Sequence, residues 1–562
     1  MNIENLSMIT SEIGPGNHAH SSYFSCRKEF AIRATLFFLV FFFFSYPIIH
    51  ANVYYADDTL HAFSNIHWER DGRILGQLLL LFMGRFASVD YAPLPQIIGL
   101  PFIAAVLAAF SIRWGYNRLS SIICLSFVVC NPFFLENISY RFDSMIMECA
   151  VACAIMPFAL AFFLPQYSRK HLMPWQFLAL FSCLNLYQPA LNVYFCLCCL
   201  TVMLSLLEQE TVRQVLDTLG GNAMTVFLVL VAYKLEMCLL PGGDNYADAH
   251  KAAIHSLHQV LGNVPDFFYA IAPALIKGPQ SIIFSVIIAS GCIMLVSRTV
   301  RMLRAGSLTP TAGCLVGCCL VVLPFCIPGI LLLLASPIHS HRVMIGFGMV
   351  CACFMTFLVR MAPSFGRHAN CLACIVAGYC LWSEITMSAA YGNALAAQSR
   401  FRDQMAQAMV DDAVQLAREA GQPENTTFWW NTRGGEPIAP LALYILRKYE
   451  ILTNIILVAY VPFLPSPWMM HDIMLTHGLP TNILSGGAAP DTGKVMWKAL
   501  QAELEHCAID GSREHGPFMT YRIGNSIIVD YDKRCIQHGN GYVRSPSRRQ
   551  NTFLGRMVES SK

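Results

Sequence analysis

Apolar segments of nearly membrane-crossing length recur along this chain from Thr35 to about residue 390. Roughly 20 predominantly apolar residues carry a helix across the hydrocarbon core of a bilayer. A chain with many such segments satisfies its backbone hydrogen bonds in lipid by keeping them inside helices. The segments fall at 35–49, 94–112, 119–135, 144–164, 173–189, 190–207, 222–240, 280–297, 310–335, 343–361 and 370–390. They predict a mainly α, polytopic membrane protein with about eleven spans. The stretch 173–207 also reads as one long tilted helix, although Gln188-Pro189 supplies a natural break between two. That choice decides the side of the membrane on which the C-terminus lies.

Composition agrees with this class. Only 13% of the 562 residues are charged, against roughly 25% in soluble proteins, which excludes a large soluble enzyme, a disordered chain and a nucleic-acid binder. The net charge of +3 is too small to imply polyanionic partners. Of the 22 cysteines, all but Cys507 and Cys535 lie between Cys26 and Cys380, mostly inside apolar runs where a thiol acts as a small hydrophobe.

Three regions follow. Residues 1–33 form a polar N-terminal tail ending in Arg27, Lys28 and Arg33; residues 34–390 form the membrane domain, with a first outer loop at 51–93; residues 391–562 form a soluble C-terminal domain. The first span is expected to be an uncleaved anchor, because its leader is long, no clear A-x-A site follows and more spans come later. Basic residues are denser in the loops on the side of the N-terminus, thirteen in roughly 65 positions against seven in roughly 100 on the other side. This predicts a cytoplasmic N-terminus and an extracytoplasmic C-terminal domain. In that last region Asp403–Ala420 has helical spacing, and Ile455–Val461 and Ile527–Tyr531 read as strands between Pro/Gly-rich turns, which predicts a small mixed α/β domain. In an oxidising compartment Cys507 and Cys535 could pair, or remain two unrelated thiols.

Polar residues concentrate in the outer loops. The first holds Asp57 and Asp58 side by side, where mutual repulsion raises one carboxyl pKa and suits it to general-base work; the alternative is an N-cap of an interfacial helix. Arg73 precedes Ile74–Phe86, an apolar stretch read as a helix lying in the interface, and its guanidinium either clamps a lipid phosphate or simply anchors the helix. The short loop around Glu136, Tyr140, Arg141 and Asp143 either closes a hairpin through an ion pair or lines a polar cavity. Tyr187, Gln188 and Asn192 mark another outer turn, Lys234 is a snorkelling lysine or a phosphate ligand, and His339, His341 and Arg342 lie in a further outer loop. His250, His255 and His258 read as a solvated helix face, so no metal site is indicated. There is no Walker motif or Rossmann fingerprint, and a donor carried by a lipid would suit an external site.

Several ordered motifs carry a resemblance: Tyr55-Ala-Asp-Asp58, Gly72-Arg73, Asp90-Tyr-Ala-Pro-Leu-Pro-Gln96, Asn131-Pro-Phe-Phe-Leu-Glu-Asn137, Tyr140-Arg-Phe-Asp-Ser144, Tyr187-Gln-Pro-Ala190 and Tyr391-Gly-Asn-Ala394. From about residue 50 to 400 the chain resembles the Gtr-type, serotype-converting O-antigen glucosyltransferases of bacteria and their phages, which are similar to GT-C glycosyltransferases. The resemblance implies a polyprenyl-phosphate-linked sugar donor, a polysaccharide acceptor, the bilayer as surroundings, and a donor-sugar synthase and flippase as functional partners in the bacterial inner membrane. It implies Asp57 or Asp58 as base, and Arg73 and Arg141 as partners of the departing phosphate. Asp143, Tyr140, Gln188, Lys234 and Arg342 are the further donor-binding candidates. No cofactor is implied beyond that donor, and a divalent metal is not indicated. A transporter or flippase of a lipid-linked sugar is the competing class, disfavoured because acids and arginines cluster in loops rather than at broken midplane helices. A related transferase for another sugar also remains open.

Overall fold

The computed structural model describes residues 18–63, 67–84, 89–239, 257–423, 425–456, 467–485, 500, 502–539 and 541–544. Among them, eight helices are long and apolar enough to cross a membrane: Ser25–Ala51, Leu94–Arg113, Ser144–Phe163, Gln188–Leu207, Val212–Leu239, Gly278–Arg304, Gly346–Phe365 and Arg367–Glu419. This is a membrane protein, mainly helical. Three of the eleven expected segments are not among these helices, each for a physical reason. The 119–135 segment is two pieces, Arg118–Val128 and Pro132–Ser139, bent by 67° and counting as a ninth span only if taken together. Arg169–Leu186 carries Arg169, Lys170 and His171 in its first turn and further polar residues along its length. The 310–335 segment is helical only over Pro310–Val322, after which Pro324, Pro328 and Gly329 turn it into short 3-10 pieces.

Both breaks are held by a buried asparagine. Asn131 caps the helix Pro132–Ser139, accepting from the Phe133 and Phe134 amides, while its Nδ2 donates to the Phe127 and Val128 carbonyls. Asn192 donates to the Ile327 and Pro328 carbonyls and accepts from the Ile330 amide. Irregular backbone away from water needs such partners. Asn192 is therefore a structural residue here.

The chain separates into two compact units. The first comprises residues 1–52, 65–392 and 446–455, and the second comprises 53–64, 393–445 and 456–562. In the first, small residues let helices approach: an added Cβ at Gly291 would meet the Phe354 backbone and side chain at 2.5–2.7 Å, and one at Gly392 would meet Pro47. This is the packing expected where lipid offers no hydrophobic drive between helices.

The second unit is an α/β domain. Its five-stranded sheet has the order β2-β1-β5-β4-β3, from β1 Phe428–Arg433, β2 Ile483–Ser485, β3 Gly511–Glu514, β4 Met519–Ile523 and β5 Ser526–Asp530. β1 runs parallel to both β2 and β5, whereas β4 is antiparallel to β5 and β3. One face, with Phe428, Trp430, Ile527, Val529 and Tyr531, packs on Met405, Met409, Met470 and Met474. The other carries Met519, Tyr521 and Ile528 against Leu500 and Leu504. A disulfide joins Cys507 to Cys535, and β6 Cys535–His538 pairs with β7 Gly541–Arg544. Of the two expected strands, Ile527–Tyr531 corresponds to β5, while most of Ile455–Val461 lies outside the described residues, as do His250 and His255. Trp430 is a fully buried core residue of this sheet.

Candidate active site

The four-residue turn Tyr140–Asp143 organises the polar centre of the first unit. It joins the helices Pro132–Ser139 and Ser144–Phe163, and loop shortness fixes its side chains. Three of those side chains engage three different arginine or acid partners. The Tyr140 hydroxyl accepts from Arg342 Nη1 at 2.6 Å. Arg141 donates to Asp90 Oδ2 at 2.7 Å and to Asn52 Oδ1 at 2.8 Å. Asp143 Oδ1 accepts from Arg73 Nη1 at 3.1 Å. The turn is buried, so these charges interact in a medium that screens them less than water does.

Neighbouring residues brace the arginines. The Arg73 guanidinium lies 5.2 Å from the centre of the Tyr187 ring, a cation–π distance. The Tyr187 hydroxyl and Asn137 Nδ2 both donate to the Arg342 carbonyl, at 3.2 and 3.1 Å, and the Arg342 amide donates to Glu136 Oε2 at 2.6 Å. Burial holds the Tyr187 phenol well above its ordinary pKa, which keeps it a neutral donor. Next to Arg342, the ring of buried His341 lies tilted against Phe133 with centres 4.8 Å apart, and desolvation pushes its imidazole down to about 4.

Gln188 ties a second edge of this centre. Its Nε2 donates to the Asp71 carbonyl at 3.1 Å and to the Tyr233 hydroxyl at 2.8 Å, and Tyr233 in turn donates to the Gly72 carbonyl at 3.0 Å. Gly72 has φ of +74° and closes the 3-10 turn Trp68–Asp71, a conformation that favours glycine. Tyr233 also occupies the space a Cβ would need. Gly72 therefore turns the chain so that Arg73 begins the apolar helix Ile74–Met83. Lys234 lies in the helix Val212–Leu239, and among the described residues no hydrogen bond joins it to this cluster.

The acidic pair belongs to the second unit, and its members differ. Asp58 is fully buried, and its Oδ2 accepts from the Tyr55 amide at 2.8 Å in the first turn of the helix Asp58–Phe63. Asp57 keeps 41% of its side chain exposed, with Oδ2 3.5 Å from His61 Nε2. The capping and base readings thus separate between neighbours: Asp58 has the environment of a structural acid, Asp57 that of an accessible one.

The structure thus brings Arg73, Tyr140, Arg141, Asp143 and Arg342 together in the first unit, with Gln188 at their edge. Sequence reasoning assigned no role to Asp90, Asn52, Tyr187 or Tyr233. Asp90 had a signal, as the lone acid between the interfacial helix and the next span, and Tyr187 had one in its outer-turn motif; Asn52 and Tyr233 had none, because the partners named here are 89 and 45 residues away. Among the described residues, no three His, Cys, Asp or Glu side chains gather as a metal site.

Comparison with known proteins decides the family. The family described as Glucosyl transferase GtrII matches residues 46–353, more than half of the chain and the whole Tyr140–Asp143 turn. The chain belongs to the GtrII glucosyltransferase family. It is also 22% identical, over 77% of its length and 87% of the relative's, to a protein of Salmonella phage P22 named "Uncharacterized 55.3 kDa protein in gtrB 5'region". No solved structure matches. Within this GtrII glucosyltransferase, the arginine-rich centre around Tyr140–Asp143 lies wholly inside the matched region, as do Asp57 and Asp58.

Proposed function

We propose that this membrane glucosyltransferase moves a glucosyl residue from a polyprenyl-phosphate-linked donor to O-antigen or a similar bacterial surface polysaccharide. The reaction takes place on the periplasmic side of the inner membrane, with the N-terminus cytoplasmic and the C-terminal domain periplasmic. A donor-sugar synthase and a flippase supply the lipid-linked sugar. The observation that carries the reading is the Tyr140–Asp143 turn, which gathers Arg73, Arg141 and Arg342 in a buried setting within a glucosyltransferase family.

The chemistry is a single displacement. The acceptor hydroxyl oxygen attacks the anomeric carbon as its bond to the phosphate oxygen breaks, which inverts configuration without a covalent enzyme intermediate. Asp57 takes the proton of the attacking hydroxyl; its exposure supports that role over Asp58. The negative charge growing on the leaving phosphate is stabilised by Arg73 and Arg141, held in advance by Asp143 and Asp90 so that little reorganisation is needed. Tyr140, Arg342 and Gln188 bind the donor sugar and phosphate, and Lys234 serves the same phosphate at the edge of its span.

Glycan mass and linkage analysis in cells expressing wild type, Asp57→Asn or Asp58→Asn, with membrane insertion verified, tests this. Wild type is expected to add a hexose, and Asp57→Asn to lower the addition by about 10²–10⁴-fold, the usual worth of a positioned base. An unchanged glycan in Asp57→Asn would remove the base from that residue, and a wild type that adds nothing would remove the transfer reading.

A further inference from the structure

The sheet of the second unit holds polar atoms that its own packing leaves unsatisfied. β1, β2 and β5 are parallel, and open α/β sheets bind ligands beyond the carboxyl ends of parallel strands. Side chains two apart on a strand share a face. Thr432 therefore follows Trp430 on β1, Ser485 follows Ile483 on β2, and Tyr531 follows Val529 past β5, all on the face of the Phe428–Trp430 core. Trp430 Nε1, Thr432 Oγ1, Ser485 Oγ and the Tyr531 hydroxyl have no hydrogen-bond partner among the described residues. These residues are 0, 3, 6 and 2% exposed. Native interiors leave few such atoms, and four at one end of one sheet face ask for a partner.

The charge around them selects that partner. Arg402 Nε and Glu436 Oε1 form a buried ion pair at 3.0 Å, and both lie within electrostatic reach of the Tyr531 hydroxyl. The pair cancels, and Arg433, whose buried Nη1 also has no hydrogen-bond partner among the described residues, alternates with Thr432 onto the opposite face of β1, so this face offers an indole donor, three hydroxyls that donate or accept, two aromatic rings and no surplus cation. A phosphate would need that surplus. A neutral pyranose, with hydroxyls of both roles around an apolar ring, does not.

We infer that the carboxyl ends of β1, β2 and β5 form a binding site for a neutral pyranose unit of the acceptor glycan, a deepening of the proposed transfer that rests on it for the word acceptor. Thr432, Ser485, Tyr531 and Trp430 supply the hydrogen bonds.

The test uses the full-length chain in detergent, with saturation-transfer NMR to the methyl pyranosides of glucose, galactose and mannose, and glucose 1-phosphate as the anionic control. Thr432→Val and Tyr531→Phe each delete one unsatisfied hydroxyl at nearly constant shape. They should leave the melting temperature unchanged or raised, weaken pyranoside binding by about 3–10-fold each, and raise the KM for acceptor by a similar factor. Absent binding to wild type, preference for glucose 1-phosphate, or equal binding to wild type and both variants would overturn the inference. Asp57→Asn separates the two readings. Pyranoside binding that survives in Asp57→Asn and falls in Tyr531→Phe sustains the site, and if the wild type transfers no sugar that same result sinks the transfer alone. Intact transfer with unaltered binding and KM in both hydroxyl variants sinks the site alone.

Discussion

At the scale of single residues, the polar centre is a set of arginines each given a fixed partner. Arg73 and Asp143 are 16% and 5% exposed at their side chains and bonded at 3.1 Å. Removing one member of a buried pair strands the other, at a cost of about 3–5 kcal/mol, whereas removing both spares that penalty. Arg73→Ala should therefore lower the melting temperature of the detergent-solubilised protein more than Arg73→Ala/Asp143→Ala does. A double variant as unstable as the sum of the singles would show that the two side chains act independently. The aspartates of the first outer loop make the complementary point. Asp57 and Asp58 are indistinguishable in sequence, and only the burial of Asp58 against the Tyr55 amide separates an anchoring acid from an accessible one.

At the scale of elements, breaks in helices matter as much as helices. The 67° bend between Arg118–Val128 and Pro132–Ser139 sets the direction in which the second piece delivers Tyr140, Arg141 and Asp143. Asn131 holds that bend, accepting two amides and donating to carbonyls of the preceding turn. Proline at the first helical position needs no amide partner, which makes Asn131-Pro132 a natural start. Asn131→Ala should cost about 1–2 kcal/mol from the cap alone, read as a lower melting temperature with transfer reduced along with it. Asn131→Asp, which keeps the acceptor for Phe133 and Phe134, should recover part of the loss. Equal melting temperatures for Asn131→Ala and wild type would mean that the bend is fixed elsewhere.

At the scale of the whole molecule, the second unit takes residues from three separate stretches of the chain, including the acidic loop 53–64. The Cys507–Cys535 disulfide closes 28 residues around β3, β4 and β5. In the chain-entropy account a loop of that size contributes about 3.6 kcal/mol by restricting the unfolded chain. Cys507→Ser/Cys535→Ser should make residues 500–544 open more readily, measured as faster amide hydrogen exchange in β4 and β5, with exchange in the Leu94–Arg113 helix unchanged. Unaltered exchange in β4 and β5 would show that the sheet holds without the bridge.

Much of this protein was readable in its sequence, because bilayer thickness sets a length and apolarity that eight of the helices meet. The Tyr140–Asp143 turn was readable for a related reason: a loop this short between two helices leaves its charged side chains no choice but to stay together. The α/β character of the last third was readable from the apolar run of β5. The sequence could not give the partners. Asp143 meets Arg73 across 70 residues and Arg141 meets Asp90 across 51, and neither separation carries a local signal. It could not show that 310–335 stops being a helix after Val322, since an apolar run with prolines reads the same whether Asn192 is there to satisfy its carbonyls or not. Local composition determines which segments leave water; which polar groups then find each other depends on packing, because a buried charge or amide takes its partner from whatever the fold brings within hydrogen-bond reach.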